Sequence, residues 1–165
     1  MSTAFRFVVL ITIAMEVMTT TARAQDIGEL SVGGGFAQGI ENGGLGTSGI
    51  ATASFGFIAS AFSLGPEFRY IAGTPHVIGY GLVARFRPSR GRFYVVGGLG
   101  GNSWRRMQRI STSLFSGSVG AGVLMAAGRS PDRLGIELRL HDNLQNIDGG
   151  NWAFLTLTGS VRFDW

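Results

Sequence analysis

The sequence predicts an all-β protein, an eight-stranded antiparallel up-and-down transmembrane β-barrel that follows a cleaved signal peptide. Three observations lead there. The chain ends on a strict period-two pattern that closes with an aromatic. It begins with a short export-type apolar run. Between the two lie alternating segments of about ten residues broken by turn residues, with no apolar stretch long enough for a membrane helix.

In the ending Trp152 to Trp165, the residues Trp165, Phe163, Val161, Gly159, Leu157, Leu155 and Ala153 fall on one face. Asp164, Arg162, Ser160, Thr158, Thr156 and Phe154 fall on the other. Strand side chains alternate, so one face is apolar and the other polar, as a barrel strand between lipid and a polar lumen requires. At the front, Arg6 precedes Phe7 to Met15, and small and polar residues lead to Ala22-Arg23-Ala24. A charged start, a short apolar core and an A-x-A site make residues 1–24 a signal peptide and residues 25–165 the mature barrel domain. A retained helical anchor fits less well, because Glu16 interrupts a run about half the roughly 20 residues a bilayer needs.

Composition narrows the function classes. There are 27 Gly and 4 Pro, and no Cys, so neither a disulfide framework nor thiol chemistry is available. All 14 basic residues are Arg, and the net charge is only +4. No basic run interleaves with aromatics, so no nucleic acid partner is expected. A membrane-spanning mature chain must then be a closed barrel, since lipid cannot satisfy an open strand edge.

The first strand is expected over Gly28 to Gly39, with Leu30, Val32, Gly34 and Phe36 on one face and Glu29, Ser31, Gly33 and Gln38 largely on the other. A Gly- and Asn-rich loop, Ile40 to Thr47, precedes the second strand, Ser48 to Ile58. Leu64 to Ala72 is the third, with Phe68 and Tyr70 outward and Glu67 and Arg69 inward. The fourth, Val77 to Arg87, turns Arg85 and Arg87 inward and ends at the tight turn Pro88-Ser89-Arg90-Gly91. The fifth, Arg92 to Gly101, is followed by a longer loop from Asn102 to Thr112, and Ser113 to Ala127 is the sixth. After a turn at Gly128 to Asp132, Arg133 to Leu140 is the seventh, with Glu137 and Arg139 inward. The polar loop His141 to Asn151 leads to the eighth and last. With both termini periplasmic, the short turns fall inside and the longer loops outside, the arrangement of outer-membrane barrels.

The chain resembles the small eight-stranded outer-membrane barrels, the OmpA/OmpX-like family. The likeness is carried by Gly65-Pro66-Glu67-Phe68-Arg69-Tyr70, by Leu134 to Leu140 and by the ending Leu155 to Trp165. It implies an outer-membrane location, contact with outer-membrane lipid, and a C-terminal assembly signal, matched by Phe163 and Trp165, that the barrel-assembly machinery reads. Ser160 stands where that signal usually has Gly, with Gly159 beside it.

The candidate residues form two groups. Glu67, Arg69, Arg85, Arg87, Glu137, Arg139, Arg162 and Asp164 share the lumen face. An eight-stranded barrel is only wide enough to be filled by side chains, so opposite charges there are expected to pair and plug it. Trp104, Arg105, Arg106 and Arg109 sit on the longer loop and are candidates for extracellular contact with phosphorylated lipid or an external ligand of unknown identity, since Arg suits bidentate phosphate contacts.

No catalytic residue, cofactor or metal is expected. Gly44-Leu45-Gly46-Thr47-Ser48-Gly49 lacks the βαβ setting of a dinucleotide site, and Asp142 and Asp148 are too sparse for a calcium loop. His141-Asp142-Asn143 is similar to the His-x-Ser pair of lipid A deacylase barrels but has Asn143 where the nucleophile would be. His76 and His141 are then expected as solvated loop histidines. The functional expectation is an integral outer-membrane barrel with a structural, adhesion or ligand- and lipid-binding role. The alternatives are a lipid A-modifying barrel enzyme and a soluble periplasmic lipocalin-like barrel.

Overall fold

The computed structural model is a closed barrel of eight antiparallel strands in chain order. They are β1 (Gly28–Gly39), β2 (Ser48–Ala59), β3 (Phe62–Ala72), β4 (His76–Phe86), β5 (Phe93–Arg106), β6 (Arg109–Ala126), β7 (Arg133–Asn143) and β8 (Ala153–Asp164). The structure describes residues 28–40, 45–59, 61–88, 91–106, 109–126, 133–144 and 153–164, with backbone alone at 106 and 109–114. The expected signal peptide 1–24 and Trp165 lie outside the described residues, as does the turn expected at 128–132.

Each strand pairs with its sequence neighbours, and β8 closes onto β1 in a register running from Glu29↔Asp164 to Gly39↔Phe154. One rim, the terminal end, holds Gly28 and Asp164 and the links β2–β3, β4–β5 and β6–β7. The other, the loop end, holds the remaining links.

The alternation read from the sequence decides which side chains enter the barrel. On β7, Leu134, Ile136, Leu138 and Leu140 are exposed while Glu137, Arg139 and His141 are buried. On β3, Leu64, Phe68 and Tyr70 are exposed and Glu67 and Arg69 buried. A water-soluble domain sorts its residues the other way. Room for large inward groups comes from inward glycines on the strands paired with theirs. A Cβ at Gly122 would lie 2.3 Å from the Tyr94 ring, and one at Gly79 would lie 2.8 Å from Arg69 Nε and Asn102 Oδ1.

The lumen is layered. At the loop end Ala37, Leu45, Ile50, Ile71, Val77, Trp104 and Phe154 pack into a buried apolar cluster. Leu45 reaches it from the β1–β2 link, which is tied back by a 2.8 Å bond from Gly39 N–H to the Leu45 carbonyl. Near the terminal end Val83, Tyr94, Val96 and Leu124 form a smaller cluster. Charged side chains fill the space between.

The strand boundaries differ from expectation mainly at the loop end. β5 runs to Arg106 and β6 starts at Arg109, so most of the segment expected as a loop from Asn102 to Thr112 is a hairpin extension, with a register shift between Gly100 and Asn102. β7 likewise continues to Asn143. Polar Ser, Thr and Asn residues suggest a loop when the strand is expected to stop with the apolar band, but ladder hydrogen bonds do not need that band. Gln38 is exposed on the Phe36 face and contacts Thr47 rather than facing the lumen.

Candidate functional site in the barrel lumen

The central layer is built from residues that alternation turns inward on β1, β3, β4, β7 and β8. Glu67 on β3 is its middle. Arg139 Nη1 donates to both of its carboxylate oxygens, at 2.7 and 3.0 Å. The same guanidinium bonds Glu137, two residues back on β7, through Nε at 3.0 Å and also through Nη2. Arg139 therefore bridges two carboxylates, a use suited to its planar fork of donors. Arg85 sits among three: Nη1 lies 3.2 Å from Glu29, Nη2 is 3.7 Å from Glu67 and Nε is 3.6 Å from Glu137. Its Nη2 also donates to Ser54 Oγ at 3.1 Å. Arg162 lies 3.8 Å from Glu29 and 3.5 Å from Glu137, with its guanidinium 4.2 Å above the centre of the Tyr94 ring. Tyr94 in turn donates its hydroxyl to Glu137 at 2.9 Å.

Towards the loop end the network becomes a hydrogen-bonded chain. Arg69 lies 3.5 Å from Glu67, and its Nη1 is 2.6 Å from His141 Nδ1. A guanidinium can only donate, so Nδ1 accepts and the His141 proton sits on Nε2. Nε2 faces Thr156 Oγ1 at 3.1 Å, and the Thr156 hydroxyl donates to the Arg139 carbonyl at 3.3 Å. The ring also stacks on Phe154, with centroids 4.6 Å apart and planes at 7°. Alongside, Arg69 Nη2 donates to Asn102 at 3.5 Å, and Asn102 donates to Asn143 at 2.8 Å.

The free space among these groups is about 10 Å³, bounded by Glu67, Arg69, Arg85, Glu137, Arg139 and His141 among others. That is about the room one water needs. Among the described residues no cluster of His, Cys, Asp or Glu could hold a metal.

Of the lumen charges expected from sequence, Glu67, Arg69, Arg85, Glu137, Arg139 and Arg162 come together. Arg87 does not. It follows the end of β4, is half-buried at the terminal mouth, and makes no ion pair among the described residues. Asp164 pairs with Arg133 at 3.2 Å near the same rim.

Two members were missed. The period-two pattern of the first strand puts Glu29 on the face opposite Leu30, but only β8 closing onto β1 brings it to Arg162 and Arg85. Tyr94 is inward by the alternation of β5, a signal that was available in the sequence.

Trp104 does not belong to an external cluster. Trp104 is 4% exposed and packs edge-on to Phe154 inside the barrel, 6.1 Å between ring centres. The reason is the continuation of β5, in which Trp104 shares the inward face of Asn102. Arg105 is exposed beside His76 on the outer surface, and the side chains of Arg106 and Arg109 lie outside the described residues. His141 is not a solvated loop histidine but 1% exposed in the lumen, because β7 extends past it. His76 is exposed on β4 and stacks on Tyr70. Phe163 is exposed on the outer face.

No protein-family model matches the sequence, and no curated protein matches it. Solved structures do. Neisserial surface protein A matches with a TM-score of 0.67 at 14% identity, over 84% of this chain and 97% of that chain. The N-terminal β-barrel domain of Pseudomonas aeruginosa OprF matches with a TM-score of 0.58 at 15% identity, over 84% of this chain and all (100%) of that one. Ail, the attachment invasion locus protein of Yersinia pestis, in complex with the heparin analogue sucrose octasulfate, matches with a TM-score of 0.57 at 12% identity, over 85% and 100%. These are small eight-stranded outer-membrane barrels, and this chain has their fold.

Proposed function

We propose that this protein is an integral outer-membrane β-barrel, with a structural, adhesion or ligand- and lipid-binding role, a charge-plugged lumen and no catalysis. The observation that carries the reading is the inversion of its two faces. Exposed large apolar side chains lie on all eight strands, from Leu30 and Phe57 round to Leu138 and Leu157, while the charges are turned inward. Lipid rewards such a surface and water does not. The same inversion counts against a soluble lipocalin-like barrel, whose interior would be the apolar side. Against a lipid A-modifying enzyme, the His141 ring bonds Arg69 and Thr156 among the described residues, and it is 1% exposed inside the lumen.

In this reading residues 1–24 direct export, Phe163 and Trp165 present the C-terminal strand to the barrel-assembly machinery, and outer-membrane lipid covers the apolar faces. Arg105, with Arg106 and Arg109 next to it in the hairpin, is the site for an anionic external ligand or lipid phosphate. The test is a denaturing gel with and without boiling, run on membrane fractions, followed by planar-bilayer recording. A detergent-resistant band from the outer-membrane fraction that shifts on boiling, with no steady open channel, is expected. A soluble protein without a shift would sink the membrane reading, and a steady ohmic channel would sink the plug.

A further inference from the structure

Among the described residues the lumen charges do not balance, and the excess lies towards the terminal mouth. With the Arg133–Asp164 pair set aside, the described lumen groups comprise the guanidiniums of Arg69, Arg85, Arg87, Arg139 and Arg162 against the carboxylates of Glu29, Glu67 and Glu137. His141 adds no charge in the tautomer its partners impose. Arg139 takes Glu67 and Glu137 at hydrogen-bond distance, Arg85 takes Glu29, and Arg69 finds neutral acceptors in His141 and Asn102. Two cations are left over, Arg162 and Arg87.

Arg162 is 2% exposed, yet it reaches the carboxylates only through long ion pairs of 3.5 and 3.8 Å, and its Nε has no acceptor among the described residues. The Nε of Arg85 lacks one as well. Both residues, with Arg87, Glu29 and Tyr94, line a cavity of about 20 Å³ at the terminal mouth of the lumen. A buried guanidinium holds five donors and is costly without acceptors.

We propose that this mouth binds a small inorganic anion of halide size, held by Arg162 and Arg87 with Arg85 behind them. The inference rests on the charge-plugged lumen proposed above and completes it. The anion offsets the excess positive charge and accepts the donors that the carboxylates leave unused. The cavity's position at the mouth admits the ion from the terminal side without disturbing the apolar cluster at the loop end.

The experiment uses the full mature chain folded in detergent. Its unfolding midpoint is followed in chloride and in gluconate at equal ionic strength, and crystals grown in bromide are examined for anomalous scattering. Chloride is expected to raise the midpoint by on the order of 2–4 °C over gluconate. Bromide is expected beside the Arg162 guanidinium, and Arg162→Gln should abolish the chloride effect. Should Arg162→Gln not fold, Arg87→Gln, whose side chain makes no ion pair among the described residues, is expected to reduce the rise in the midpoint that chloride gives. Equal midpoints in the two salts, or bromide found only at exposed arginines, would overturn the site while the gel shift on boiling still reported an intact barrel. Loss of that gel shift in wild type would instead overturn the barrel reading, and the anion site with it.

Discussion

The two halves of the lumen are built from the same kinds of residue but satisfy them differently. In the loop-end half, Arg69, His141, Thr156, Asn102 and Asn143 form directional hydrogen bonds, several below 3.2 Å, under a lid of Trp104 and Phe154. In the terminal half, Arg85 and Arg162 stand mostly 3.5 to 3.8 Å from their carboxylates, and one face opens to the mouth. The first arrangement specifies a single geometry, because hydrogen bonds fail steeply with angle and distance. The second is held by charge, which tolerates displacement and is weakened where water or an ion enters. The lumen packing is thus directional at one end and held mainly by charge at the other.

The sharpest way to break the contrast is at the residue both halves share. Glu67→Ala leaves Arg139, Arg69 and Arg85 without their common carboxylate, and a loss of about 3–5 kcal/mol is expected in denaturant unfolding of the detergent-folded barrel. In the terminal half, Gly122→Ala puts a methyl against the Tyr94 ring. A cost of about 1–3 kcal/mol is expected, with Tyr94 fluorescence altered as the ring is displaced. Tyr94→Phe removes only the hydroxyl bond to Glu137, for about 1 kcal/mol by the same unfolding assay. The smallest effect belongs outside the lumen: Arg105→Gln, exposed on β5, is expected to change stability by less than about 0.5 kcal/mol. A change as large as that of Tyr94→Phe would mean the hairpin surface is part of the plug.

Much of this architecture was legible in the residue order. Period-two alternation put Glu67, Arg69, Arg85, Glu137, Arg139 and Arg162 on the inner face, and the same count carried through Val96, Gly98, Gly100 and Asn102 would have put Trp104 there too. Its polar neighbours suggest a loop instead, although β5 runs on to Arg106. His141 lies one residue beyond the strand end expected at Leu140, where polar neighbours likewise suggest a loop. Glu29 is different, since its face was readable but its neighbours were not.

The sequence by itself therefore determined the number of strands, their facing and the sign of the chemistry on each face, because a strand's alternation is a local property that needs no partner. Only the tertiary structure decided which charges meet. Register across the ring, and the joining of β8 to β1 above all, sets Arg162 against Glu29 and Tyr94, and brings His141 on β7 to Arg69 on β3 through the lumen. Those contacts join residues from opposite ends of the chain, and their distances depend on how the barrel closes, which no local pattern encodes.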